Sequence, residues 1–169
     1  QGEPIQYILG YSEFCGLHLN VRPGVLIPRN ETEELVEWVV SEWKKQGENC
    51  RIIDIGCGSG AIALAIASKL PEAEVFAVDI SDKALWLCHE NAKRLSLDIS
   101  CEKLDILNPD GNIANLDFDV IVSNPPYVLE SQKPFLEKRV SAREPSLALF
   151  VPDTNPLIFY RALADFAIE

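Results

Sequence analysis

Residues 52–61 read IIDIGCGSGA. The first four residues are typical of a short buried strand, and Gly56, Gly58 and Gly60 favour a tight turn with left-handed backbone conformations. Residues 61–70 then predict a helix that ends before a proline. The unpaired N–H groups at the start of that helix would lie beside a backbone that a ligand can approach closely. The stretch therefore predicts a ligand-binding turn between a strand and a helix.

The same alternation continues along the chain. Further strands are predicted at Glu74 to Val78, Ile99 to Leu104 and Phe118 to Ser123, and a helix from a Ser81 cap to Leu95. Strands alternating with helices imply right-handed crossovers and a parallel, doubly wound α/β sheet. The last strand is expected at an unpaired outer edge, followed by a helical segment at Asn155 to Ile168. Because an open edge promotes aggregation, we expect further strands to be missing.

The first 29 residues are predicted to form a smaller segment. Pro4 to Gly10 is typical of a short helix closed by glycine, and Glu13 to Val21 alternates apolar and polar residues as a hairpin does. We therefore divide the chain into a linker helix and hairpin, residues 1–29, and an α/β domain, residues 30–169.

A helix is predicted to open the larger domain. Asn30 is expected as its N-cap, and Glu33 three residues later completes a capping-box pattern. Apolar residues at helical spacing follow as far as Trp43, and Gly47 is expected to end the helix.

The charge of the chain limits its partners. It has 15 Lys and Arg residues against 26 Asp and Glu residues, a net charge of −11. Such a surface repels a phosphate backbone unless basic residues cluster, and here they are scattered. No stretch approaches the roughly 18 apolar residues of a membrane span. We expect neither nucleic acid nor a membrane as a partner.

The cysteines indicate a reducing compartment. The chain has five cysteines, without C-x-x-C spacing, which argues against a disulfide framework and a structural metal site. We expect a cytoplasmic, metal-free monomer. Because the chain begins at Gln1 and contains no methionine, we also expect it to be part of a longer product, truncated at both ends.

The glycine turn fits two cofactors. A dinucleotide would use Gly56, Gly58 and the small residue Ala61, with its pyrophosphate on the helix start. S-adenosylmethionine carries no phosphate and needs an acidic residue just before the turn for its ammonium group, which Asp54 supplies. Asp79 ends the next strand, where a carboxylate can bind the two hydroxyls of a ribose. The turn favours S-adenosylmethionine, and tight strand–helix packing without a ligand is the alternative.

Asp105 follows the third strand at the corresponding position. Together with the backbone at Ile106, it lies where an adenine can be held. The alternative is a solvated carboxylate at a strand end.

Residues 120–127 read VIVSNPPY. The β-branched run predicts a buried strand, which the two prolines end because they cannot continue the hydrogen-bond ladder. The side-chain oxygen of Asn124 and the carbonyl of Pro125 therefore lie on a stiff turn at the carboxyl end of a strand. Open α/β sheets bind ligands at that edge, although a plain strand-ending turn has the same pattern.

Taken together, the glycine turn, Asp79, Asp105 and the Asn-Pro-Pro-Tyr tetrad resemble class I S-adenosylmethionine-dependent methyltransferases that act on planar nitrogen. Two branches share the tetrad: DNA adenine-N6 methyltransferases and protein-glutamine N5-methyltransferases. Four other stretches are similar to the release factor glutamine methyltransferase family: GEPIQYILG at 2–10, EFCGL at 13–17, LIPRNETE at 26–33 and REPSLAL at 143–149. The resemblance covers nearly the whole chain.

This resemblance implies a Rossmann-like fold, S-adenosylmethionine as cofactor and a peptide chain release factor as substrate, methylated on N5 of the glutamine in its Gly-Gly-Gln motif. Family members also carry an N-terminal helical domain and further C-terminal strands. The implied cofactor-binding residues are Asp54, Gly56, Cys57, Gly58, Ser59, Gly60, Asp79, Asp105, Ile106 and Asn124. The implied substrate-binding residues are Phe14, Arg29, Glu33, Asn124, Pro125, Pro126 and Tyr127, of which Asn124, Pro125 and Tyr127 are expected to be catalytic.

Several alternatives remain open on the sequence. Tyr127 is expected to lay its ring against the substrate amide, or else to be a core aromatic residue below the turn. Arg29 and Glu33 are expected to meet a protein substrate, or else to be a surface arginine and a helix-start carboxylate. The rival functions are adenine methylation of nucleic acid, methylation of another protein side-chain nitrogen, and a non-catalytic cofactor-binding fragment.

Overall fold

The structure, a computed structural model, describes residues 2–44, 50–111, 113, 116–137 and 142–168. Its α-helices are α1 (Ile5–Leu9), α2 (Thr32–Trp43), α3 (Ala61–Lys69), α4 (Asp82–Leu95) and α5 (Ile158–Phe166), and short 3-10 helices span Glu130–Phe135 and Ser146–Ala148. Its strands are β1 (Tyr11–Phe14), β2 (Leu17–Asn20), β3 (Arg51–Ile55), β4 (Glu74–Asp79), β5 (Ser100–Lys103), β6 (Val120–Ser123), β7 (Val128–Leu129) and β8 (Phe150–Val151). None of the helices in these ranges combines the length and apolar content needed to cross a membrane.

The central sheet has four parallel strands in the order β5-β4-β3-β6. This confirms the predicted α/β sheet, with strand ends that shift by one or two residues. Among the described strands, β6 pairs only with β3 and lies at the expected edge. A second, two-stranded parallel sheet joins β7 to β8 directly after the Asn-Pro-Pro-Tyr tetrad.

Alternate residues of β3 are buried on opposite faces of the sheet. Ile52 packs in the core formed with α2, α3 and α4. Ile53 and Ile55 belong to the core of the other face, against which Leu163 and Phe166 of α5 pack. Burial on both faces explains why residues 52–55 of β3 read as an apolar run interrupted by one aspartate.

The N-terminal segment shares its core with the sheet domain. Helix α1 ends at Gly10 in the left-handed conformation, and β1 pairs antiparallel with β2, so the predicted helix and hairpin are confirmed. Phe14 and Leu19 of the hairpin are buried in the same cluster as α2 and α3. The division of the chain at residue 29 stays a prediction.

The predicted capping box at the start of α2 is wrong. The N-cap is Glu31, without a side-chain capping bond. The carboxylate of Glu33 instead accepts a hydrogen bond from the backbone N–H of Cys15, 3.0 Å away in the hairpin turn. Cys15 has a φ of 49°, and the carboxylate satisfies the N–H that this turn exposes. The predicted end of the helix at Gly47 lies outside the described residues.

The close packing of Gly60, at the start of α3, against Cys88 of α4 can be tested by substitution. Gly60 has a φ of 82°, and a Cβ there would lie 2.5 Å from Sγ of Cys88. We expect Gly60→Ala to lower the free energy of unfolding by about 2–4 kcal/mol, through backbone strain and overpacking together.

Gly16→Ala is the matched control, because Gly16 has a φ of 78° and open space around it. It should cost only the backbone part, about 1–2 kcal/mol. Urea unfolding of both variants, alone and combined with Cys88→Ala, separates the two contributions. An equal cost at both glycines would contradict the steric explanation.

Candidate active site

A cavity of about 320 Å³ opens at the carboxyl ends of β3, β4 and β6. This is the point of the sheet at which the strand order reverses, where open α/β folds bind their ligands. The volume lies within the range of small-molecule sites, roughly 300–1,000 Å³. The walls come from the N-terminal segment, the glycine turn and the loops after β4, β5 and β6. Pro145, Leu147 and Ala148, together with Phe159 and Leu163 of α5, complete them.

Most of the predicted site residues meet in this one cavity. Those that line it are Phe14, Arg29, Gly56, Cys57, Gly58, Ser59, Asp79, Asp105, Ile106, Asn124, Pro125 and Pro126. Those that do not line it are Glu33, Asp54, Gly60 and Tyr127. The individual roles of all these residues stay predictions.

The glycine turn is fastened to the end of β4. The backbone N–H groups of Gly56 and Cys57 both donate to the carbonyl of Val78, at 2.8 and 3.0 Å. The N–H of Gly58 donates to Oδ2 of Asp79 at 2.9 Å, and Oδ1 of Asp79 accepts from the N–H of Ser81. Burial raises the pKa of Asp79. Each carboxylate oxygen keeps a lone pair for the hydroxyl group of a ligand.

Asp54 lies behind the turn and is fully buried. Its Oδ2 accepts a hydrogen bond from the N–H of Ala63, at 3.1 Å in the first turn of α3. Its Oδ1 is buried and has no hydrogen-bond partner among the described residues. Burial, together with the nearby charge of Asp79, raises the pKa of Asp54 to about 7. A cationic ligand beside the turn would stabilise the ionised form.

Asp105 occupies the loop after β5 and lines the cavity. Its Oδ1 accepts from the N–H of Leu107 at 3.0 Å, and its Oδ2 accepts from the side-chain amide of Asn108. The carboxylate therefore shapes this loop, which brings the partly buried Ile106 to the cavity wall.

The tetrad lies across the cavity from the loop after β5. Nδ2 of Asn124 donates to Oγ1 of Thr32 at 3.2 Å, which orients the amide. In the part of the chain that the structure describes, no donor reaches Oδ1 of Asn124. The hydroxyl of Ser123 donates to the carbonyl of Ile55 at 2.6 Å and fixes the end of β6 against β3. Asn124 thus offers an oriented acceptor.

Tyr127 is not a core aromatic residue, because 61% of its surface is exposed. That alternative interpretation is wrong. The ring lies outside the cavity lining, where it is accessible to a large partner. Its contact with a substrate amide stays a prediction.

Residues 24–29, which we call the strap, form one wall of the cavity. The hydroxyl of Tyr7 donates to the carbonyl of Val25 at 2.6 Å. Glu144 accepts from the N–H of Ile27 at 3.2 Å and from the guanidinium of Arg29 at 2.6 Å. The side chain of Glu144 is 1% exposed and that of Arg29 35% exposed. Arg29 is therefore not a free surface arginine, and it belongs to the wall through a buried partner.

Sequence reasoning did not single out three residues that organise the site: Thr32, Glu144 and Asn91. Thr32 and Glu144 lie inside the stretches that carry the family resemblance, which was the available signal. Asn91 is fully buried on α4 and hydrogen-bonds Asn20 and Ser59. It stands among charged helix residues and gives no such signal.

A family model described as the methyltransferase small domain matches residues 30–142, which is more than half of the chain. The chain belongs to this family. The match contains the glycine turn, Asp79, Asp105 and the tetrad, so the methyltransferase small domain supplies the glycine turn and the loops after β4, β5 and β6 to the cavity wall. The strap precedes the matched region.

The chain is also similar to two proteins named release factor glutamine methyltransferase. One, from Bacteroides thetaiotaomicron, is 48% identical over 100% of the chain and 59% of the relative. The other, from Flavobacterium psychrophilum, is 48% identical over 98% of the chain and 58% of the relative. The resemblance inferred from the motifs is confirmed, and the chain spans less than two thirds of the length of either relative.

The fold matches that of solved methyltransferase structures. Magnesium protoporphyrin IX methyltransferase from Synechocystis, with bound SAH, superposes with a TM-score of 0.51 at 18% identity. The match covers 79% of the chain and 51% of that protein. It confirms the predicted fold class.

The buried carboxyl of Asp54 predicts a pH-dependent stability. Its pKa in the folded protein, about 7, lies above the ordinary 3.8, so the folded state binds this proton more tightly than the unfolded state does. The free energy of unfolding should therefore fall as the pH rises from 3.8 to about 7, by on the order of 4 kcal/mol.

We expect Asp54→Asn to flatten this decline, since an amide oxygen still accepts from the N–H of Ala63 and carries no proton to lose. Urea unfolding at a series of pH values measures the free energy of unfolding of both proteins as a function of pH. Asp98→Asn, at an exposed position, controls for the change in net charge. A wild-type slope in the Asp54 variant would contradict the assignment.

The ion pair between the half-buried Arg29 and the buried Glu144 predicts a strong coupling of the two side chains. Arg29→Met leaves a buried carboxylate without its cation and should cost about 3–5 kcal/mol of stability. The double variant Arg29→Met/Glu144→Leu should lose less than the sum of the single variants, because no charge remains buried.

A double-mutant cycle measured by chemical denaturation tests this coupling. The exposed pair of Lys103 and Asp82, at 2.8 Å, is the control, and Lys103→Met should cost less than about 1 kcal/mol. Strictly additive losses at Arg29 and Glu144 would argue against a coupled pair.

Proposed function

We propose that this chain is the catalytic part of an S-adenosylmethionine-dependent methyltransferase that transfers a methyl group to the side-chain amide N5 of a glutamine in a protein. We further propose that the protein is a peptide chain release factor and that the enzyme is a cytoplasmic monomer. The names of the relatives at 48% identity support the substrate. The five free cysteines support a reducing compartment.

One observation carries the proposal. Asn124, oriented by Thr32, lines the same cavity as the glycine turn and Asp79. A cofactor on the turn and a planar amide at the tetrad would therefore share one enclosed space. Methyl transfer between two bound molecules requires this arrangement, because positioning supplies a large part of the rate enhancement.

The residues of the chain fit S-adenosylmethionine. Asp79 has lone pairs available for the two ribose hydroxyls, and the wall at Asp105 and Ile106 offers a partly apolar surface for the adenine. A bound ammonium group would stabilise the ionised form of Asp54, whose unpartnered oxygen would then give the turn a negative field. Asp54 lies behind the lining and would act on that charge without direct contact.

The chemistry required of the protein is modest. When bound, S-adenosylmethionine supplies an electrophilic methyl group. The amide nitrogen of the substrate is a poor nucleophile, because its lone pair is delocalised into the carbonyl. Oδ1 of Asn124 and the carbonyl of Pro125 can each accept one N–H of that amide and so hold the nitrogen in place. The same two oxygens would stabilise the positive charge that develops on the nitrogen as the C–N bond forms and the methyl–sulfur bond of the cofactor breaks.

The proton leaves the nitrogen after transfer, so the reaction needs no strong base. This agrees with the lining of the cavity, which includes neither His18 nor His89. Tyr127, the exposed last residue of the tetrad, would offer its ring to the substrate amide or to the backbone that carries it.

Adenine methylation of nucleic acid is a rival with the same chemistry, since an exocyclic amino group can make the same two hydrogen bonds. The net charge of −11 disfavours it, because base-flipping proteins contact the phosphate backbone with cations. A side-chain nitrogen in another protein remains compatible with the same cavity.

The test offers the protein methyl-labelled S-adenosylmethionine with purified peptide release factor and, in parallel, adenine-containing duplex DNA. We expect label on the glutamine of the release factor, located by mass spectrometry. Asn124→Ala should lower turnover by roughly 100- to 1,000-fold while leaving cofactor affinity within a few fold. Thr32→Val should lower turnover less, because the acceptor remains but loses its orientation.

Asn30→Ala, at an exposed position outside the lining, is the control and should retain full turnover. Label on the DNA would contradict the proposed substrate and would leave the proposed cofactor unchanged. A loss of cofactor binding in Asn124→Ala would contradict the role assigned to the amide. Binding of S-adenosylmethionine without label on any substrate would favour a non-catalytic cofactor-binding fragment, whereas the absence of both heat and a thermal shift with S-adenosylmethionine would contradict the cofactor itself.

A further inference from the structure

The side chain of Asn91 connects two parts of the molecule that are distant in sequence. Its Oδ1 accepts from the backbone N–H of Asn20 at 2.8 Å. Its Nδ2 donates to the carbonyl of Asn20 at 3.1 Å and to the carbonyl of Ser59 at 3.0 Å. Asn91 itself is fully buried on α4. A single amide therefore binds the end of the hairpin and the glycine turn at the same time.

The two hydrogen bonds between the side chain of Asn91 and the backbone of Asn20 take the place of those that a neighbouring strand would form. Asn20 is the last residue of β2, and its N–H and C=O both pair with the side chain of Asn91 as they would with a backbone amide. The remaining N–H of Asn91 satisfies the carbonyl of Ser59 inside the turn. An apolar residue of the same size would leave three polar backbone groups without these partners, which is costly in a buried position.

The wall of the cavity begins shortly after Asn20 in the chain. The strap starts at Gly24, and Cγ1 of its Val25 lies 3.8 Å from the place that a Cβ on Gly58 would occupy. Val25 also packs against Ala84 and Leu87 of α4. Phe14, from the other strand of the hairpin, lines the cavity as well. The position of this wall over the glycine turn thus depends on where Asn20 is held.

We propose that Asn91 is a positioning residue that couples docking of the N-terminal hairpin and strap to cofactor binding on the glycine turn. A cofactor that orders the turn would fix the carbonyl of Ser59, and through Asn91 it would stabilise the hairpin. By reciprocity, a docked hairpin raises the affinity for the cofactor. The inference rests on the proposed function, because it takes S-adenosylmethionine as the ligand of the turn.

The test compares wild-type protein with Asn91→Asp. The aspartate has nearly the same shape and keeps the acceptor for the N–H of Asn20, but it loses both donors. Ala92→Gly is the matched control, because Ala92 is the next buried residue of α4 and its replacement weakens the helix without touching the bonds to Asn20 or Ser59. Calorimetry measures the affinity for S-adenosylmethionine, and hydrogen exchange follows the amides of residues 11–20 with and without it.

We expect the cofactor to slow exchange of the hairpin amides in the wild-type protein and not in Asn91→Asp. The dissociation constant should rise by about tenfold or more in Asn91→Asp and stay within about twofold in Ala92→Gly. A wild-type affinity in Asn91→Asp, or equal losses in both variants, would overturn the inference.

If Asn91→Asp does not fold, the wild-type exchange experiment decides alone. If S-adenosylmethionine binds but does not slow hydrogen exchange of the hairpin amides, the coupling is refuted and the proposed function is left intact. Failure of the wild-type protein to bind S-adenosylmethionine would overturn the proposed function and this inference with it.

Discussion

The hydrogen bond from the backbone N–H of Gly58 to the carboxylate of Asp79 is the contact on which the site depends. It fastens the turn after β3 to the end of β4, the neighbouring strand of the parallel sheet. Because Asp79 is held at both oxygens by backbone N–H groups, its side chain has little freedom. The cavity therefore has a rigid floor made by local sequence and strand pairing.

The walls around this floor come from remote parts of the chain. Asn124 reaches Thr32 across 92 residues, and Arg29 reaches Glu144 across 115 residues. These contacts bring the strap and the tetrad to the same opening. Such long-range polar bonds are formed only when the whole fold is assembled, so the complete cavity is a property of the tertiary structure.

The interior polar groups of the site are not optimised for stability. Asp54 buries a carboxyl group with one oxygen left without a partner among the described residues, and burial raises its pKa. Proteins retain unfavourable groups of this kind where a ligand compensates them, and regions of local conflict tend to coincide with functional sites. Asn91 is the contrasting case, since its buried amide is fully engaged with the backbone and stabilises the arrangement.

Local sequence patterns were sufficient to predict the sheet, the glycine turn, the position of the tetrad and the family. Runs of β-branched residues, a glycine at every second position and two adjacent prolines act on the backbone locally, so they can be interpreted without knowing the neighbours. The tertiary structure alone decided which side chains pair. Glu33 binds the hairpin turn instead of capping its own helix, Tyr127 is exposed, and Glu144 and Asn91 are buried anchors. Each of these outcomes depends on a partner brought close only by folding, and local sequence carries no information about that distance.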